Sequence, residues 1–331
     1  MKLPQPLLDS RFFQFGSFEE FSRAMADSWE IEESAEAKRL VDLGLPPATS
    51  PVTLATMIGL NPGLIWSMQN RPGRYYRSFS IPKGSGARQI DAPRVLLKVI
   101  QKWLSVQLAR AYRPPAHVYG FVPNRSHIDA AAVHCGARWV FSLDIADFFP
   151  STSNTQVVQA FRSLGYNNQS SQMLSRLCCL RGGLAQGSPA SPVLSNMCMA
   201  DVDQHLASIA LARGARVTRY ADDIVFSGEG EPPASLEEDV RAILAVTPWQ
   251  VAENKVTCNV APARLKVHGL LVHGEVVRLT KGYRNKIRAY RHMEERKAIR
   301  EEDLAKVRGH LEYSQSVDTI AAAQRARSGL D

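Results

Sequence analysis

The sequence has no uninterrupted apolar run near the roughly 20 residues needed to cross a bilayer. Its opening decapeptide, MKLPQPLLDS, has prolines where a secretory leader needs an apolar segment. Both absences predict a cytoplasmic location and no membrane partner. Cysteine is scarce: Cys135, Cys178, Cys179, Cys198 and Cys258 are odd in number and contain no Cys-x-x-Cys pair, so neither a disulfide framework nor a zinc-ligand spacing is indicated. There is no internal repeat and no low-complexity tract, which removes solenoids and disordered linkers from consideration.

What is present is enough apolar material for a folded core, with 45% hydrophobic and 22% charged residues in a chain of 331. The chain is basic, with 40 Lys+Arg against 32 Asp+Glu, a net charge of +8. That charge is unevenly spread: residues 1–45 hold nine acids against five bases, whereas 278–308 hold eleven bases against five acids. A basic stretch suits a polyanion such as nucleic acid, and equally suits a solvated helix face.

Periodicity places the elements. Ser17 and Glu20 form a capping-box pattern before a helix that carries Phe18, Phe21, Met25 and Trp29 on one face. Tyr75–Ala92 reads as two strands around the turn Lys83-Gly84-Ser85-Gly86, and Leu96–Leu108 as a helix behind Pro93. Trp139–Ile145 alternates as a strand ending in charge. Val217–Phe226 reads as a hairpin with acids at its tip, and Ser235 with Glu238 as a cap for another helix. Strands alternating with helices predict a mixed α/β core.

Three acids, Asp144, Asp222 and Asp223, stand at the ends of these predicted strands. Carboxylates gathered at strand ends repel unless cations lie between them, and hard oxygen ligands suit magnesium. Two ions about 4 Å apart would activate a hydroxyl and stabilise the leaving oxygen in phosphoryl transfer. Each motif alone also fits the ordinary preference of aspartate for turns. Between them lies Gly183-Leu184-Ala185-Gln186-Gly187-Ser188-Pro189-Ala190-Ser191-Pro192, a loop whose glycines let backbone approach a ligand closely and whose Pro192 starts a helix.

In this order the motifs resemble those of reverse transcriptases over about residues 75–315. Tyr220-Ala221-Asp222-Asp223 is similar to the YxDD signature, Asp144-Ile145-Ala146-Asp147-Phe148-Phe149 to the first acidic motif, and Gln186-Gly187-Ser188-Pro189 to the QG-x-x-x-SP segment. Arg88-Gln89-Ile90, Pro93, Leu97-Lys98 and Gln101 resemble the fingers of bacterial members. The resemblance implies an α/β (α+β) right-hand polymerase, with a palm built on a ferredoxin-like antiparallel sheet. Its expected divisions are an N-terminal helical extension (1–50), fingers (51–135), a palm (136–265) with a fingers insertion around 155–185, and a small helical thumb (266–331).

It also implies roles. Asp144 and Asp222 would bridge two Mg2+ ions beside the Ile145 carbonyl, with Asp223 in support. Lys83 and Arg88 would hold the triphosphate of a deoxynucleotide, and Gln186 and Gly187 would shape its pocket. Phe149 matches the sugar gate, whose flat ring leaves no volume or hydrogen-bond partner for a 2′-hydroxyl.

Length and motifs most resemble the retron branch. Its NA-x-x-H motif corresponds to Ala130-Ala131-Ala132-Val133-His134, with Ala in place of Asn, and its VTG motif to Val267-His268-Gly269, with His in place of Thr. His134, Val267, His268 and Gly269 are thereby expected at the RNA, although a lone histidine more commonly has a structural role. On a helix, Lys281, Arg284, Arg288 and Arg291 fall within about 80° of arc, and Tyr283, Ile287 and Tyr290 on another face. Such a basic stripe would grip a template–primer duplex. Retron resemblance further implies a cognate non-coding RNA as template and primer, a branched RNA–DNA product (msDNA) begun at a guanosine 2′-hydroxyl, and an effector protein in phage defence, with the acidic N-terminal helix as candidate effector contact. Two other readings stay open: a non-retron bacterial defence reverse transcriptase, and an inactive RNA-binding scaffold.

Overall fold

The computed structural model describes residues 4–84 and 86–328; of Lys83 only the backbone is described, and Ser85 of the expected turn lies outside the described residues. Ten strands run in chain order among these residues: β1 (Tyr76–Lys83), β2 (Gly86–Pro93), β3 (Trp139–Asp144), β4 (Cys179–Leu180), β5 (Gly183–Leu184), β6 (Arg216–Tyr220), β7 (Asp223–Gly228), β8 (Thr257–Val260), β9 (Lys266–Val267) and β10 (Leu270–Leu271). Helices fill the intervals and the strand pairs are antiparallel, so the mixed α+β expectation holds. The chain divides into two compact units, Met1–Pro114 with Asp147–Asp201, and Pro115–Ala146 with Val202–Asp331.

In the first unit, β1 and β2 form one hairpin from Tyr76↔Pro93 to Lys83↔Gly86. The Val95–Ala111 helix follows, its Leu97, Ile100, Trp103, Leu104 and Leu108 recurring at helical spacing and all buried. They share a core with Phe21, Met25 and Leu40 from the N-terminal helices and with Phe161, Leu174 and Leu177. Each such side chain contributes about 1.5–3 kcal/mol when fully buried. Within residues 4–50, Leu8, Phe21, Met25, Leu40 and Leu45 help to close this core.

Ser17 caps the Phe18–Ala24 helix by accepting the Glu20 N–H at 3.2 Å, while the Glu20 carboxylate takes the Gly16 N–H at 2.8 Å, so the box is shifted by one residue. Trp29 lies beyond the end of that helix, yet its ring returns to Phe21 at 5.4 Å. Gln101, like Gln107 and Ser105, is a buried polar residue of the Val95–Ala111 helix. Its Nε2 donates to Tyr76 Oη at 2.7 Å and to the Leu177 carbonyl at 2.8 Å, and its Oε1 accepts from Ser188 Oγ at 2.7 Å. An unpaired buried amide would cost about 1–3 kcal/mol; here the amide ties the hairpin, the helix and the 183–192 loop together.

The second unit is built on a four-stranded sheet of order β6-β7-β3-β8. Its centre is β3, paired with β7 from Trp139↔Gly228 to Asp144↔Asp223 and with β8 on its other side. The Leu236–Ala245 helix forms without the expected cap: Ser235 makes no side-chain cap, and its hydroxyl donates instead to Asp239 Oδ2 at 3.3 Å. The hairpin of β9 and β10 turns at His268-Gly269 and leads to the Lys281–Glu295 and Leu304–Ser328 helices. Val140, Val225, Val267, Leu270, Ile287 and Val317 gather in the core beneath them.

Candidate active site

Two chain reversals place the acids. β3 ends at Asp144 and β7 begins at Asp223, and these two residues are register partners. β6 and β7 are joined by only Ala221 and Asp222, so the turn is tight, and Ala221 takes it at φ +59, a left-handed conformation uncommon outside glycine. Three groups hold it there. The Ile145 N–H donates to the Asp222 carbonyl at 2.9 Å. Arg219 donates from one guanidinium nitrogen to the Ala221 carbonyl at 3.0 Å. Gly120 backs the turn so closely that a Cβ on it would stand 2.2 Å from the Ala221 nitrogen.

Arg219 itself is 0% exposed and meets the equally buried Asp203 in two hydrogen bonds of 2.6 Å. A bidentate buried pair of this kind is rigid, and removing one partner strands a charge.

At the sheet end, Lys255 Nζ donates to Asp144 Oδ1 at 2.8 Å. Burial pushes the Asp222 carboxyl above the usual carboxylate range; its own backbone N–H lowers it, Asp144 raises it, Lys255 lowers it and Asp223 raises it. Asp223 turns to His268, whose Nδ1 lies 3.1 Å from its carboxylate. Among the described residues no group of three or more Asp, Glu, His and Cys side chains converges as a cation cage. The donor set is instead two hard carboxylates whose mutual repulsion a cation would relieve. That fits magnesium, which is usually held by one or two carboxylates together with substrate oxygens.

The first unit gathers three more of the expected residues. The Gln186 amide, oriented to satisfy its neighbours, donates to the Gln89 carbonyl and accepts from Arg88 Nε, each at 3.3 Å. The Gln186 carbonyl accepts the Asp91 N–H at 2.8 Å. Gly187 takes φ +129, and a Cβ there would lie 3.0 Å from the Asp91 carbonyl oxygen, so only glycine lets the loop lie this close to β2. Phe148 is buried in the core, while Phe149 beside it is only half-buried, its ring 5.5 Å from that of Phe148. The Lys83 side chain lies outside the description.

The residues expected at the RNA divide. His134 is not available to RNA: it is 0% exposed, with Nδ1 2.7 Å from Ser227 Oγ and Nε2 2.7 Å from Thr218 Oγ1. Burial pushes its pKa down to about 3, with Arg216 and His268 adding to the fall. It is a neutral clamp against the sheet. Val267 is core, and Gly269 serves its turn at φ +81.

Arg284, Arg288 and Arg291 line a groove of about 410 Å³ over Val277, Ile287 and Ala321, joined by Arg278 and Arg325 and by one acid, Asp318. Lys281 is exposed and lies outside that lining. Sequence reading missed Lys255, Arg219, Asp203, Gly120, Arg278 and Arg325. The one legible signal was Arg219 itself, a charge inside an apolar strand pattern.

With this geometry in place, comparison with known proteins is informative. The reverse transcriptase (RNA-dependent DNA polymerase) family matches residues 81–264. The chain is 30% identical over 289 residues to the retron Ec86 reverse transcriptase of Escherichia coli, covering 85% of this chain and 88% of that protein. It is 31% identical over 316 residues to the retron Mx65 reverse transcriptase of Myxococcus xanthus, covering 87% and 73% respectively. Among solved structures, C-terminally truncated apo telomerase from Candida tropicalis matches with 11% identity and a TM-score of 0.46, over 62% of this chain and 55% of that one.

Proposed function

The chain belongs to the reverse transcriptases, and among them to the retron reverse transcriptases; from that premise we propose that this RNA-directed DNA polymerase copies a cognate structured RNA by two-magnesium phosphoryl transfer, leaving a branched RNA–DNA product that serves phage defence. The observation that carries the reading is that Asp222, whose carbonyl is locked by the Ile145 N–H, precedes the Asp144↔Asp223 register pair at one sheet end, near enough for the Asp144 charge to raise its pKa. Magnesium held by Asp144, Asp222 and the Ile145 carbonyl would supply a lowered barrier for the attacking hydroxyl and a counter-charge for the leaving pyrophosphate.

The protein's own groups do the rest. Lys255 shields Asp144 from its partner acid. Lys83 and Arg88 hold the triphosphate, and the Gln186 amide fixes the Arg88 guanidinium by accepting its Nε. Gly187 keeps the pocket floor close to β2, and Phe149 offers its half-buried ring to the sugar. In this reading residues 51–135 supply the fingers, 136–265 the palm with the insertion around 155–185, and 266–331 the thumb. The groove of five arginines takes the phosphates of the template–primer duplex. The effector contact falls on the acidic N-terminal helix, Phe18–Ala24, which carries Glu19 and Glu20 in its first turn.

Asp222→Asn tests the reading with little change in shape. Loss of DNA synthesis with RNA affinity retained supports it; full synthesis by the variant removes the cation role. Nucleic acid extracted from the purified protein would carry a 2′–5′ branch, and a linear product overturns the retron-type priming.

A further inference from the structure

Asp223 is the acid of the hairpin that stands apart. It is the register partner of Asp144, yet its carboxylate meets the His268 ring at 3.1 Å. His268 occupies that place at some cost. Its backbone sits at φ +49, and its buried Nε2 has no hydrogen-bond partner among the described residues. A non-glycine residue in the left-handed region with an orphaned buried nitrogen persists where the surrounding structure over-determines it.

What over-determines it is a run of rings. His268 lies 5.4 Å from Tyr220 of the catalytic hairpin, and Tyr220 meets His127 edge-on at 6.1 Å. His127 stacks on Tyr313 at 5.5 Å and an interplanar angle of 16°, with Nε2 3.3 Å from the Tyr313 hydroxyl. Tyr313 meets Tyr283 at 5.5 Å, the Tyr283 hydroxyl lies 2.6 Å from His310 Nδ1, and His310 stacks on Tyr290 at 5.4 Å. Every separation lies within the range of favourable ring pairs. The run starts at the β9–β10 turn and the β6 end, passes the first turn of the His127–Val133 helix, and finishes on the two C-terminal helices.

We infer that His268 is a positioning residue: it holds the Asp223 carboxylate beside the Asp144–Asp222 pair and, through the stacked rings, ties the catalytic hairpin to the helices that carry the arginine groove. The inference rests on the polymerase reading of that site, and it makes the packing of the Lys281–Glu295 and Leu304–Ser328 helices felt at the acids.

Two substitutions separate the contact with Asp223 from the backbone strain. His268→Gly relieves the left-handed conformation and removes the donor. His268→Asn tolerates the same conformation and keeps an N–H close to the position of Nδ1. In single-turnover extension, normalised to active sites, the glycine variant is expected to be slower by about tenfold or more, as for a misplaced catalytic group. Its dNTP KM, RNA affinity and melting midpoint should stay at the parent values, and the asparagine variant should recover most of the rate.

A glycine variant within twofold of the parent, or an asparagine variant as slow as glycine, overturns the assignment. A rate loss that only follows a fallen melting midpoint also overturns it. For the ring run, Tyr313→Leu should slow the same step on its own and add nothing to His268→Gly; independent, multiplying effects would sever the link. Failure of these tests leaves Asp222→Asn inactive as before, whereas a fully active Asp222→Asn removes the polymerase reading itself.

Discussion

A single side chain can decide which sugar is accepted. Phe148 is buried in the core and Phe149 is half-buried against it, so truncating the second should disturb the fold less while removing the ring proposed to meet the sugar. Phe149→Ala is expected to raise ribonucleotide incorporation by about tenfold or more relative to deoxynucleotide, a modest figure for opening a pocket wall; unchanged discrimination in competition assays would remove the gate. His134 gives a pH signature of opposite origin. Burial depresses its folded-state pKa to about 3, while the unfolded chain binds a proton near pH 6.5. Below pH 6.5 the unfolded state therefore holds more protons, and stability falls with pH by up to about 1.4 kcal/mol per unit. Urea unfolding at pH 7.5, 6.5 and 5.5 should show that slope flattened in His134→Gln. The acids were legible from sequence because their chemistry demands a residue type at a hairpin tip. The burial of His134 was not, because nothing local says that Ser227 and Thr218 will reach both ring nitrogens.

At the scale of the element, the β6–β7 hairpin shows what pattern reading captures and what it omits. Two apolar runs on either side of Ala221-Asp222-Asp223 identified the strands and their acidic tip. The devices that hold the tip come from far along the chain: Asp203 for Arg219, Gly120 behind Ala221, and Lys255 on Asp144. Partner choice of this kind depends on register and topology, which a single segment does not contain. The buried pair yields a clear expectation. Arg219→Met leaves Asp203 charged and unpaired and should cost about 3–5 kcal/mol in unfolding free energy, whereas Arg219→Met with Asp203→Leu should recover a large part of it. Equal losses in the single and double variants, measured by denaturant unfolding, would show that the ion pair does not organise the hairpin. On the Lys281–Glu295 helix the expected pattern is found only in part: Arg284, Arg288 and Arg291 share one groove, the buried Ile287 lines that same groove, and Lys281 lies outside it.

For the whole molecule, composition and motif order were enough for the mixed α+β class, but not for the way the N-terminal helices are used. They read as a helical extension with one apolar face, and Phe21, Met25, Leu40 and Leu45 are wholly or almost wholly buried in the first unit's core. Removing residues 1–45 should therefore abolish cooperative unfolding of that unit; a truncated chain that keeps a sharp thermal transition and full synthesis would return those helices to the role of an extension. The order in which the segments are joined has a consequence for biogenesis. The first unit needs Phe161, Leu174 and Leu177, and β3 needs β7, so a nascent chain that has emerged only as far as Ala146 carries unfinished halves of both units. At about 5–20 residues per second, β3 waits on the order of ten seconds at the ribosome for its partner strand. Throughout that interval its apolar faces are open to chaperones or to a neighbouring nascent chain.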